Sequence, residues 1–87
     1  MLKIAVLVSG GGTNLQALID SERAGALGPG KIVKVIASRA GVYALERAEK
    51  AGIPTSVIAR RDFTDAADYG RALIDELHAC GAQLIVL

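Results

Sequence analysis

The chain has 87 residues, with 10 Lys+Arg against 9 Asp+Glu, 52% hydrophobic and 3% aromatic residues, and one cysteine. That is room for one domain, and a formal charge of +1 lacks both the basic excess with which nucleic-acid binders displace counterions and the acidic excess of a disordered tail. One cysteine makes neither an internal disulfide nor a thiolate metal cage, so burial must hold the core, as in a reducing compartment, and the expected location is cytoplasmic.

Ile4 to Val8 is uniformly apolar and bounded by glycines, the pattern of a strand buried on both faces. It is also the longest apolar run, far below the roughly 20 residues a membrane helix needs, and the Met1-Leu2-Lys3 start carries no signal-peptide pattern. Leu15, Leu18 and Ile19 recur at helical spacing, with Gln16, Asp20 and Arg23 elsewhere, predicting an amphipathic helix that stops near Gly25. Ile32 to Ala37 is rich in β-branched residues and predicts a second strand. Val42 to Ala51 predicts a second helix with Leu45, Ala48 and the other alanines inward, and with Glu46 facing Lys50 one turn away.

Gly52 fits a left-handed cap and Pro54 cannot continue the helix, so Thr55 to Ile58 predicts a short third strand. A third helix follows, capped by Thr64 or Asp65 and striped by Tyr69, Leu73, Leu77 and Cys80, and Gly81 ends it. Gln83 to Leu87 predicts a fourth strand.

Three βα units plus a fourth strand specify an α/β, Rossmann-like parallel sheet with right-handed crossovers and strand order 3-2-1-4. Ligands of such sheets bind beyond the carboxyl ends of strands one and four, where the crossovers diverge. A domain seldom stops on an interior parallel strand, so the chain is expected to be the truncated amino-terminal part of something larger. The far edge of strand four would then stay open for self-association or for a carboxyl-terminal half.

Ser9 to Asn14, with three consecutive glycines, joins strand one to helix one. Each glycine costs about 0.5 to 1 kcal/mol in folding entropy relative to alanine, so the run belongs where positive φ or close backbone approach is required. Backbone N–H groups there, with the positive end of the helix, can seat a phosphate or carboxylate, and the Thr13 hydroxyl and Asn14 amide can add bonds or cap the helix. A tight turn that needs glycine for geometry alone is the competing reading. Gly12 precedes Thr13 without the lysine of a nucleotide-hydrolase phosphate loop, and Leu15 stands where the dinucleotide fingerprint has its third glycine. Arg39 could still meet the 2′-phosphate of NADP, which keeps a free-standing NADP or phosphate-binding module as an alternative.

From Ile4 to Gln16 the letters IAVLVSGGGTNLQ resemble the opening of phosphoribosylglycinamide formyltransferase. Val35 to Ala48, Ala51 to Pro54 and Gln83 to Leu87 resemble its next blocks, so the likeness covers the whole chain but less than half of a full-length member. The resemblance implies a cytoplasmic purine-biosynthesis enzyme that moves a formyl group from 10-formyltetrahydrofolate to the amine of glycinamide ribonucleotide. It implies that Gly12, Thr13 and Asn14, with Gly11 beside them, hold the ribonucleotide phosphate. It places the family's catalytic Asn, His and Asp and its main folate loops beyond Leu87, so residues 1–87 form the phosphate-binding part, contain no catalytic residue and are expected to be inactive alone. Two positions depart from the family: Arg39 stands where Asn is common, and Ala66 where a basic residue is a candidate folate contact. Arg60 and Arg61 are close enough in sequence to substitute for the latter, or are solvated surface.

His78, the only histidine, falls in the last turn of helix three, where a cation complements the dipole. Cys80 continues the apolar stripe as packed core. Asp62, Asp65 and Asp68 cluster at a helix start, which capping and dipole complementarity explain, so no metal site is expected.

Overall fold

The computed structural model describes residues 2–87. Four parallel strands, β1 (Leu2–Val8), β2 (Gly30–Ala37), β3 (Thr55–Val57) and β4 (Leu84–Val86), form one sheet in the order β3-β2-β1-β4. The crossovers contain α1 (Thr13–Arg23), α2 (Tyr43–Lys50) and α3 (Ala66–Cys80), the last preceded by a 3₁₀ turn at Arg60–Asp62. The expected α/β order is therefore the observed one.

One face of the sheet carries the core. Ile4 and Val6 of β1 and Ile32 and Val35 of β2 pack with Leu15 and Ile19 of α1, Ala44 and Ala48 of α2, and Ile53. Small alanines on α2 let its backbone lie close to the sheet and to α1, while the larger Leu15 and Ile19 fill the space between. Ile32 and Val35 are three apart yet share this face because β2 bulges: Ile4 pairs with Ile32 but Ala5 with Lys34, leaving Val33 as the extra residue. No period in the letters announced that irregularity.

The bulge also sends Lys34 to the opposite face, together with Ala5, Ile36 and Ser56. There α3 lies across the sheet. Glu76 accepts a hydrogen bond from the Ser56 hydroxyl at 2.6 Å and pairs with Lys34 Nζ at 3.1 Å. The Ser56 hydrogen bond, then that from Lys34, holds the Glu76 carboxyl below its ordinary value, against partial desolvation.

Three local expectations need correction. The stripe of Tyr69, Leu73, Leu77 and Cys80 faces inward but is only half-buried, because α3 is the one helix on its side of a four-stranded sheet. Glu46 and Lys50 form no ion pair; Lys50 Nζ lies over the Tyr43 ring, 5.7 Å from its centroid. β3 and β4 stop one residue before their expected ends, at Val57 and Val86, where the sheet ladder ends, and α2 is one residue shorter at each end.

The predicted stops hold. Asp65 is the N-cap of α3 and accepts from the Ala67 N–H at 2.8 Å, and Gly81 closes that helix with φ +71°. His78 is an exposed residue of its last turn. Among the described residues no helix is long and apolar enough to cross a membrane, and no group of three or more His, Cys, Asp or Glu side chains could hold a metal ion.

Candidate functional site

The glycine run leaves β1 at its carboxyl end and enters α1 through Gly12, the N-cap, at φ +77°. No side chain caps this helix. Its first main-chain bond runs from the Gln16 N–H to Gly12 O at 2.9 Å, and the N–H groups of Thr13, Asn14 and Leu15 precede it without a main-chain acceptor.

The carbonyl groups of the same stretch are all engaged. Ser9 O accepts from Arg39 Nε at 3.0 Å, Gly10 O from the Ala44 N–H at 3.1 Å, and Gly11 O from Arg47 Nε at 2.7 Å. The N–H groups of Gly10, Gly11 and Gly12 donate to no acceptor among the described residues. A loop with its acceptors filled and its donors unfilled is complementary to an anion, and the N-terminal end of an eleven-residue helix adds positive potential.

A cleft of about 190 Å³ opens between the start of α1 and the end of β4, lined by Ser9, Gly12, Thr13, Asn14, Val86 and Leu87 among others. It lies at the carboxyl ends of β1 and β4, the adjacent strands at which the sheet reverses its winding. Of the residues expected to hold a phosphate, Gly12, Thr13 and Asn14 line this cleft; Gly11 is exposed beside it and is not part of the wall. The side chains of Thr13 and Asn14 are exposed and form no hydrogen bond among the described residues.

Gly12 is also a packing glycine, so the competing geometric reading holds for it as well. A Cβ there would lie 2.6 Å from Ala44 Cβ and 2.9 Å from Ala44 Cα. Gly10 and Gly11 have open space where a Cβ would go.

Arg39 Nε is bonded to Ser9 O, which ties this arginine to the glycine loop. Leu15, at the position of the missing third glycine, is 1% exposed in the core. A second cavity, of about 420 Å³, joins Arg39 to Arg60 and Arg61, with Ser38 and Phe63. Ala66 opens α3 next to that turn. In the sequence Arg47 reads as an ordinary solvent-facing helix residue. Its one local signal is that it follows Tyr43 by one turn, and the guanidinium stacks 4.7 Å from the Tyr43 ring centroid.

The sequence profile of the family described as formyl transferase matches residues 2–87. The chain belongs to the formyl transferase family. This formyl transferase chain is 45% identical over 87 residues to the phosphoribosylglycinamide formyltransferase of Haemophilus influenzae, spanning 100% of itself and 41% of that protein. It is 48% identical over 86 residues to the trifunctional purine biosynthetic protein adenosine-3 of Drosophila pseudoobscura pseudoobscura, spanning 98% of itself and 6% of that protein. Among solved structures it superposes on glycinamide ribonucleotide transformylase 1 from Symbiobacterium toebii with a TM-score of 0.91 at 40% identity, covering 98% of this chain and 40% of that one. The formyl transferase chain thus spans about two fifths of the single-function relatives it matches.

Proposed function

We propose that this formyl transferase segment seats the phosphate of glycinamide ribonucleotide on Gly12, Thr13 and Asn14. In the intact enzyme, a formyl group then passes from 10-formyltetrahydrofolate to the ribonucleotide amine, a step of purine biosynthesis. The observation that carries this reading is the division of the loop: its carbonyl oxygens are taken by Arg39, Ala44 and Arg47, and its amides are unfilled beside a cleft. The names of the relatives that match the whole chain support the substrate.

The phosphate is remote from the reacting amine. Energy gained at the loop therefore serves to hold the amine in place for attack on the formyl carbon, rather than to stabilise the oxyanion itself. Groups that stabilise that oxyanion are expected outside residues 1–87, so this segment supplies binding and orientation. The cavity walled by Arg39, Arg60 and Arg61 suits the carboxylates of a folate co-substrate, with Phe63 as its apolar side and the two loop arginines in place of the basic residue absent at Ala66. A cytoplasmic setting agrees with the lone cysteine.

The test is a titration of the ¹⁵N-labelled chain with glycinamide ribonucleotide. Shifts concentrated at the amides of Gly10 to Asn14 are expected. A folded sample whose loop amides stay unmoved at millimolar ligand overturns the proposal.

A further inference from the structure

The peptide planes that lead into α1 are held from outside the loop. Every described peptide bond is trans, and in a trans peptide the C=O and the following N–H point in opposite directions. Tying the carbonyl groups of Ser9, Gly10 and Gly11 to Arg39, Ala44 and Arg47 therefore turns the amides of Gly10, Gly11 and Gly12 away from those donors. Glycine peptides have little torsional preference of their own, so three in a row cannot keep such an orientation unaided.

We infer that Arg47, assisted by Arg39, is a positioning residue of the anion seat: it does not touch the phosphate but fixes the direction of the donors that do. This inference rests on the reading that the loop binds a phosphate. The 2.7 Å bond from Arg47 Nε to Gly11 O is the shortest of the three anchors. The guanidinium is itself immobilised twice, by Nη1 donating to Gln16 Oε1 at 3.2 Å and by stacking on Tyr43 at 4.7 Å. Gln16 is fixed in turn by its Nε2 donating to Asp20 Oδ1 at 3.0 Å. Arg47 thus connects α2, the loop and α1 through one rigid plane, and a lysine ammonium on a flexible stem cannot make the same set of contacts.

Pre-orientation of donors raises affinity by removing the ordering cost from the binding step. A charge acting at a distance would also raise it, and the two roles separate in the Arg47→Lys variant, which keeps the charge and loses the fork. Ribose 5-phosphate is the probe, titrated into the ¹⁵N-labelled 87-residue chain with amide dispersion recorded as the check on folding. Arg47→Lys is expected to bind about tenfold more weakly than the unchanged chain, and Arg39→Gln about threefold. Equal affinity of the unchanged chain and folded Arg47→Lys overturns the positioning role while the phosphate seat stands. An unchanged chain whose loop amides ignore the probe overturns the seat and the inference with it. Should Arg47→Lys fail to fold, the unchanged protein decides: an Arg47 Nε–H that exchanges slowly and shifts on titration is the expected result. One that exchanges at the solvent rate and stays silent overturns the role.

Discussion

Gly12 and Ala44 meet so closely that a methyl group added to Gly12 would lie 2.6 Å from the Ala44 Cβ. The loop that faces the cleft is therefore also the point at which α2 is packed, and Gly12 takes a positive φ of +77° as well. Gly12→Ala meets both obstacles. Left-handed backbone costs an L-residue about 1 to 2 kcal/mol, and overpacking costs about 1 to 3 kcal/mol more. A loss of about 2 to 5 kcal/mol in chemical denaturation is expected. Gly10→Ala, which has open space at its Cβ position and no positive φ, should stay within about 1 kcal/mol of the unchanged chain.

Asn14 lines the cleft without a hydrogen-bond partner among the described residues. Its amide is thus available to a ligand at no cost to the fold. Asn14→Ala is expected to weaken glycinamide ribonucleotide binding by about three- to tenfold, the range of one ordinary hydrogen bond, and to leave the melting temperature unchanged. Calorimetric titration beside a thermal melt checks both halves.

The Glu76 carboxyl is held below its ordinary value by the Ser56 hydroxyl first and by Lys34 second. A group whose folded value is depressed contributes its stability fully above the unfolded value, and that contribution is lost as pH falls through the folded one. An unpartnered glutamate, with one value in both states, would add no pH dependence, so Glu76 is expected to make the chain lose stability as pH falls below the unfolded value. Ser56→Ala removes the leading cause, so the folded value should rise toward the unfolded one, with a loss of about 1 kcal/mol at neutral pH and a smaller further loss on acidification. Denaturation midpoints between pH 3 and pH 7 check the sign, and a larger loss on acidification in Ser56→Ala than in the unchanged chain would contradict the assignment.

The outer edge of β4 pairs with no strand among the described residues, and Leu84 and Ile85 are 44% and 46% exposed. Such an edge is a template for pairing between chains. The 87-residue chain is expected to sediment faster as its concentration rises, and Ile85→Lys, placing charge on the edge, should return it to a monomer. A monomer at every concentration refutes this.

Much of the fold was legible in the letters. The apolar run of β1, the Pro54 stop and the Asp65 cap are local features, and each landed within a few residues of its expected place. The glycine run could be read for its free backbone donors because glycine exposes the main chain. What could not be read was which peptide groups are taken. Arg39 and Arg47 reach the loop across 30 and 36 residues of sequence, and no helical or strand period reports a contact of that length. The Val33 bulge escaped for the same reason, since a parallel register depends on two strands and the helices packed on them.

From the residues alone follow the βα alternation and the sheet order, because period, caps and the right-handed crossover are determined by near neighbours along the chain. Tertiary structure alone decided that Gly12 must be glycine against Ala44, that Lys34 turns to meet Glu76, and that the loop carbonyls are taken by Arg39, Ala44 and Arg47. These depend on atoms brought together from different elements, and only packing chooses among the orientations that a glycine backbone leaves open.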